Sequence, residues 1–197
     1  VLPDWSNLSF SISTSDSIFN FTSDESAFIQ HFAKSTDWGQ DVVTLAEYYH
    51  RLGTGIFAKF IAFRWDDLNP TEGLKGIEVI DPITFDELID YQTQRQQLIN
   101  NTEHFLAGLP ASHVLLYGKR GTGKSSMVKA LLNQYHRQGL RLVELPKDSL
   151  HKLPYILNLL RQRAFRFIIF IDDLSFEDYE IAYKALKGIL EGGVETI

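Results

Sequence analysis

Residues 118–125 read Gly-Lys-Arg-Gly-Thr-Gly-Lys-Ser, a G-x-x-x-x-G-K-[ST] loop between an apolar run and an amphipathic helical pattern. No other stretch restricts the fold as strongly. The glycines let the chain double back so that consecutive backbone N–H groups face one cavity. Such a turn needs a strand feeding it and a helix leaving it. His113 to Tyr117 is the short apolar strand, and Lys124 to Gln138 is the helix, with Val128, Leu131, Leu132 and Tyr135 at i, i+3, i+4 and i+7. With ordinary residue frequencies the eight-residue pattern arises by chance in on the order of one chain in a hundred of this length. The flanking strand and helix lower that figure.

The same alternation continues downstream. Leu140 to Leu145 reads as a strand, and Ser149 caps a helix carrying Leu153, Ile156, Leu157 and Leu160. Phe167 to Ile171 is a second buried strand. Ala182, Ala185, Leu186, Ile189 and Leu190 stripe a final helix. Alternating strands and helices predict an α/β fold, a parallel sheet with helices on both faces in three layers. Before the loop, Tyr91, Arg95, Leu98, Thr102 and Phe105 share one helical stripe that Gly108 and Pro110 end.

The first third of the chain differs in charge. Residues 1–73 hold 10 acidic and 4 basic side chains, which accounts for the whole net charge of −6. Residues 1–23 carry a weak strand signal at Leu8, Phe10 and Ile12. Residues 24–63 read as helical through Phe28, Ile29, Phe32 and Ala33, then Phe57, Phe60 and Ile61. Asp66 to Gly73 is a polar, turn-rich stretch suited to a linker. The expected organisation is an acidic, mainly helical region over 1–73 and a nucleotide-binding domain over 74–197.

Composition removes several classes. There are no cysteines, so disulfide frameworks, thiol catalysis and cysteine-based metal sites are excluded. Six histidines (31, 50, 104, 113, 136 and 151) are scattered without ligand spacing, and His113 is expected to pack at the start of its strand. The longest strictly apolar run, Phe167 to Ile171, is far too short for a bilayer, and Val-Leu-Pro-Asp at the start has no signal-peptide character. The expectation is a soluble cytoplasmic protein without membrane contact. Asn-x-Ser/Thr triplets at Asn7, Asn20 and Asn100 match glycosylation by pattern only.

The chemistry follows from the residue types. Gly118, Lys119, Arg120, Gly121, Thr122, Gly123, Lys124, Ser125 and Ser126 form the expected phosphate cradle, aided by the positive end of the following helix. Lys124 reaches the β- and γ-phosphate oxygens as a point charge, and Ser125 offers a hydroxyl to Mg²⁺. The bland alternative is a glycine-rich turn that binds nothing. Asp172 and Asp173 end the second buried strand, where open α/β sheets bind ligands. Asp172 is the expected Mg²⁺ partner and Asp173 the residue that polarises water; as a plainer alternative, both cap the next helix.

Strand, G-x-x-x-x-G-K-S, helix, strand, helix, then an apolar strand ending in two acids resembles the AAA+ ATPases, with their Walker A loop and Walker B strand. More closely, Asp81-Pro82-Ile83-Thr84-Phe85-Asp86-Glu87-Leu88-Ile89, Leu115 to Ser126, and Asp172-Asp173-Leu174-Ser175-Phe176-Glu177 resemble a bacterial AAA+-like family of unknown function, over about Gly53 to Gly193. The resemblance implies ATP and Mg²⁺ as cofactors, ATP hydrolysis with Lys124 and Asp173 as catalytic residues, and oligomers of the full-length protein. It places 85–91 against the adenine, with Ile89 and Tyr91 as contacts; the other reading makes them core residues of a connecting helix. AAA+ proteins carry Glu at the position of Asp173. One methylene less sets the base roughly an ångström further from the γ-phosphate, which places a non-hydrolysing ATP switch beside the ATPase reading; Glu177 is a possible substitute base. In AAA+ chains a sensor strand, an arginine finger, a fifth strand and a helical lid follow this region. None lies before Ile197, so truncation at the C-terminus, and at the N-terminus, is expected. No Asn-Lys-x-Asp base reader of a GTPase occurs, a P-loop kinase stays open, and Arg161, Arg163 and Arg166 keep a nucleic-acid-handling role as a further alternative.

Overall fold

The computed structural model describes residues 23–35, 38–68 and 73–173, and the chain divides into two units between Ala46 and Glu47. In the first unit, helix α1 (Ser23–Lys34) is followed by the start of α2 (Trp38–Leu52). Ser35 Oγ donates to one oxygen of Asp41, and His31 Nε2 pairs with the other at 3.1 Å. These two bonds, Ser35 first, hold the Asp41 carboxyl below its usual range.

The second unit is organised around one sheet with helices packed on both faces. β1 (Ala62–Trp65), β2 (Leu74–Gly76), β3 (Leu140–Glu144) and β4 (Arg166–Phe170) form one sheet in the order β2-β1-β3-β4. β1, β3 and β4 are parallel, and β2 runs antiparallel to β1. Partners across the sheet share a face, so Phe63 lies beside Val143 and Ala62 beside Leu142. Phe63 and Val143 join a cluster with Phe57 of α3 (Ile56–Lys59) and with Leu153, Ile156 and Leu160 of α6 (Leu153–Arg161). Ala62 and Leu142 face the other way, against Val128 and Leu132 of α5 (Lys124–Tyr135). Outside α5, Leu98 of α4 (Gln92–Leu106) packs with Met127, Leu131 and Tyr135. Both faces of β3 are therefore buried, which is why it reads as Leu-Arg-Leu-Val without simple polar alternation. Its buried charged member, Arg141, has its guanidinium 3.9 Å over the Phe165 ring, and its Nη1 donates to the His136 and Leu140 carbonyls. Burial pushes that guanidinium down to about 10.

The sequence expectations need correction at several places. Residues 24–63 are not helical throughout, because β1 occupies 62–65; a four-residue strand pinned between two partners owes its form to the ladder rather than to local pattern. The stretch expected as a linker, Asp66 to Gly73, joins two paired strands of one sheet, β1 and β2, and its end residues meet through the Asp66 N–H on the Gly73 carbonyl at 2.7 Å. The contact division falls upstream of this strand pair, so residues 47–73 contribute β1 to the unit that holds the 118–125 loop. Ser149 caps no helix: it lies within a 3₁₀ segment (Lys147–Lys152), and its hydroxyl donates to Asp67 Oδ2 at 2.7 Å. Residues 113–117 form no strand; Leu116 packs against the α5 face of the sheet while Val114, Leu115 and Tyr117 are exposed, and among the described residues none of the four strands hydrogen-bonds to them. An apolar run becomes a strand only where a neighbour completes its ladder. His113, expected to be packed, is exposed with them.

The weak strand over 8–12 and the final helix over 182–190 lie outside the described residues. Among those described, no helix is long and apolar enough to cross a membrane.

Candidate functional site

The glycine-rich loop at 118–125 takes the backbone shape its glycines permit. Gly118, Gly121 and Gly123 have φ of 142°, 80° and 79°, a region where L side chains are strained. A Cβ on Gly121 would meet nothing within 4 Å, so glycine is needed there for backbone conformation and not for space. Gly123 is the N-cap of α5, with no side chain capping the first turn, so the leading N–H groups of the helix are left to a ligand or to water. Lys124 folds back on its own loop. Its Nζ donates to the Lys119 carbonyl at 2.8 Å and the Gly118 carbonyl at 3.1 Å, with Thr122 Oγ1 at 3.5 Å. Thr122 Oγ1 in turn donates to the Lys119 carbonyl at 2.9 Å. Lys119 and Arg120 stand exposed at the loop tip, and Ser126 is half-buried in the first turn of α5.

Sheet topology brings the second motif to this loop. Ser125 Oγ donates to Asp172 Oδ2 at 3.0 Å across 47 residues of sequence. Asp172 Oδ1 accepts the Asp173 N–H at 2.9 Å. Asp173 is left-handed at φ 57°, outside the region most L residues prefer, and both carboxylates are exposed. Two hard oxygen donors from separate motifs thus meet beside a helix N-terminus, a donor set of the kind Mg²⁺ takes together with water and phosphate oxygens. Among the described residues no group of three or more His, Cys, Asp or Glu could hold a metal on its own.

The segment before α4 lies on the other side of Gly123. Thr84 and Glu87 form a capping box around the 3₁₀ turn Phe85–Glu87, with the Thr84 N–H donating to Glu87 Oε2 at 2.7 Å. Leu88 Cδ2 lies 3.7 Å from where a Cβ on Gly123 would sit. Ile89 is 86 % exposed and Tyr91 46 % exposed, so neither is a core residue of a connecting helix. Asp90 and Tyr91 are both left-handed, with φ of 67° and 57°.

Two groups of this segment's contacts were not legible as site features. Asn133 donates to the Asp81 and Ile83 carbonyls at 2.9 and 2.8 Å, and Arg95 Nη1 donates to the Phe85 and Leu88 carbonyls at 2.6 and 2.8 Å. The signal for Arg95 was its place on an otherwise mostly apolar stripe, where a charged head needs fixed acceptors. In the arginine cluster at the start of β4, Arg163 lies 4.8 Å over the Phe57 ring and Arg166 5.9 Å over Phe105. Glu177 lies outside the described residues.

No curated protein and no solved structure matches the chain. Residues 58–197, which span the segment before α4, the 118–125 loop and the Asp172 strand end, match one family model, and the chain therefore belongs to the family described as protein of unknown function, DUF815.

Proposed function

We propose that this chain is an AAA+-like P-loop domain that binds ATP with Mg²⁺ and hydrolyses it. The observation that carries the reading is the 3.0 Å contact between Ser125 and Asp172, which joins the loop motif to the acidic strand end. On this reading the N–H groups around Gly121 to Ser126 receive the phosphates. Lys124 exchanges the Gly118 and Lys119 carbonyls for phosphate oxygens. Ser125 and Asp172 hold the metal, whose contribution is to neutralise charge developing on the β- and γ-phosphate oxygens. Asp173 orients the attacking water, while Ile89 and Tyr91 lie against the base.

The test is nucleotide binding and turnover in two variants. Asp172→Asn is expected to keep most ATP binding and to lose Mg²⁺-dependent turnover, whereas Lys124→Ala loses binding. If Lys124→Ala binds ATP as well as wild type, the site is misassigned. A non-hydrolysing switch is the second reading, favoured by the short, left-handed Asp173. ATP binding with turnover no greater than in Lys124→Ala would establish it.

A further inference from the structure

We infer that Arg95 and Asn133 are positioning residues for the base end of the nucleotide, an inference that rests on the phosphate-loop reading. Residues 81–91 form a strap with little regular structure of their own, a single 3₁₀ turn at Phe85–Glu87. What holds the strap is side chains from the two helices beside it. Asn133, on the helix that begins at the phosphate loop, donates both its amide hydrogens to strap carbonyls, at Asp81 and Ile83. Lys129, one turn earlier, reaches Asp81 Oδ2 at 3.5 Å. Arg95, in the first turn of α4, spans the 3₁₀ turn by donating from one nitrogen to the carbonyls of Phe85 and Leu88. Among the described residues Arg95 has no ion pair, so its bonded partners are these carbonyls.

The held strap borders an open cavity of about 760 Å³ lined by Asp86 and residues 88–95. No phosphate-loop residue lines that cavity. Leu88 is the link: it lines the cavity and also packs at Gly123, the N-cap of α5. Asp90 and Tyr91, at the strap's end, hold left-handed conformations that L residues keep only where the surroundings impose them. Side-chain bonds to main-chain carbonyls, rather than backbone ladders, therefore set where the exposed Ile89 and Tyr91 stand relative to the loop. Loss of either clamp frees the strap and leaves the loop's own glycine geometry, which neither clamp touches.

That separation gives a readout that general destabilisation would not move. The 197-residue chain is titrated calorimetrically with Mg·ATP and with Mg·tripolyphosphate, which has the phosphates but no base. Wild type binds ATP more tightly than tripolyphosphate. Arg95→Ala and Asn133→Ala each weaken ATP about tenfold or more and leave tripolyphosphate within about twofold. Arg95→Lys, a cation on a different stem, recovers part of the ATP affinity. If Arg95→Ala fails to fold, as read by thermal melting, Asn133→Ala and Arg95→Lys carry the same comparison. Equal losses for both ligands, or no loss of ATP affinity, overturn the inference. Wild type that binds the two ligands equally overturns it while sparing the phosphate-loop reading, and wild type that binds neither overturns both.

Discussion

On the face covered by α6, Phe63, Val143, Ile156 and Leu160 meet as apolar surface, and the side-chain hydrogen bonds beside them fasten no part of the candidate site: Arg141 bonds the His136 and Leu140 carbonyls, and Trp65 Nε1 and Ser149 Oγ both donate to Asp67. The face covered by α4 and α5 is fastened differently. There Asn133 and Arg95 bond main-chain carbonyls, and the buried Tyr135 hydroxyl donates to Glu103 Oε1 at 2.8 Å; burial, with that acceptor second, pushes the phenol up to about 12. Apolar packing is non-directional and holds elements together. Hydrogen bonds to named carbonyls fix where a loop stands. The candidate site lies on the side that uses the second kind of contact.

The sharpest way to break this contrast is Ile156→Ala. Ile156 is fully buried on the α6 face, and its truncation is expected to cost about 2–5 kcal/mol of stability. Urea unfolding measures the loss, and the ATP affinity of the folded protein should stay within about twofold. A parallel loss of affinity would show that the two faces are not separable. Lys124→Ala is the converse, with ATP affinity lower by about a hundredfold and an unchanged melting temperature. Gly121→Ala is smaller. Since a Cβ there meets nothing, the cost is the backbone conformation alone, about 1–2 kcal/mol, read by denaturation.

The smallest effect is electrostatic. The Ser149 hydroxyl, with the Trp65 indole second, holds the Asp67 carboxyl below its ordinary value. Its folded-state pKa is depressed, so its contribution is complete above the ordinary carboxylate range and is lost as pH falls through the lower folded value. Asp67→Asn should flatten the acid limb of stability below about pH 4. Urea midpoints across that range check it, and an unchanged limb would remove Asp67 from that contribution.

Long periodic elements were legible. The stripe through Val128, Leu131, Leu132 and Tyr135 became α5, which gives way to a 3₁₀ turn over 136–138 within the expected helix, and the apolar runs at 140–145 and 167–171 became β3 and β4 within a residue of the expected ends. The glycine pattern at 118–125 and the acids at 172–173 stand out by residue type and order, and the sheet brings Ser125 to Asp172. What failed depends on partners remote in sequence. β1 needs β3, Ser149 found Asp67 rather than a helix end, and 113–117 carries a strand's composition without a strand's ladder. Asn133 and Arg95 were hidden for a related reason: their acceptors are carbonyls, which no residue type announces.

The two crossovers of the parallel sheet also differ in length, and length sets folding order. Leu140 pairs with Arg166 through the short loop and α6, whereas the β1–β3 pairing, sealed by Arg64 on Glu144, joins residues 80 apart. Closing the longer loop costs more chain entropy before any contact offsets it. β3, α6 and β4 are thus the natural nucleus, and the strap, α4, the phosphate loop and α5 all lie in the segment enclosed last. The residues assigned to phosphate and base reach their places only when the slow step of folding is finished.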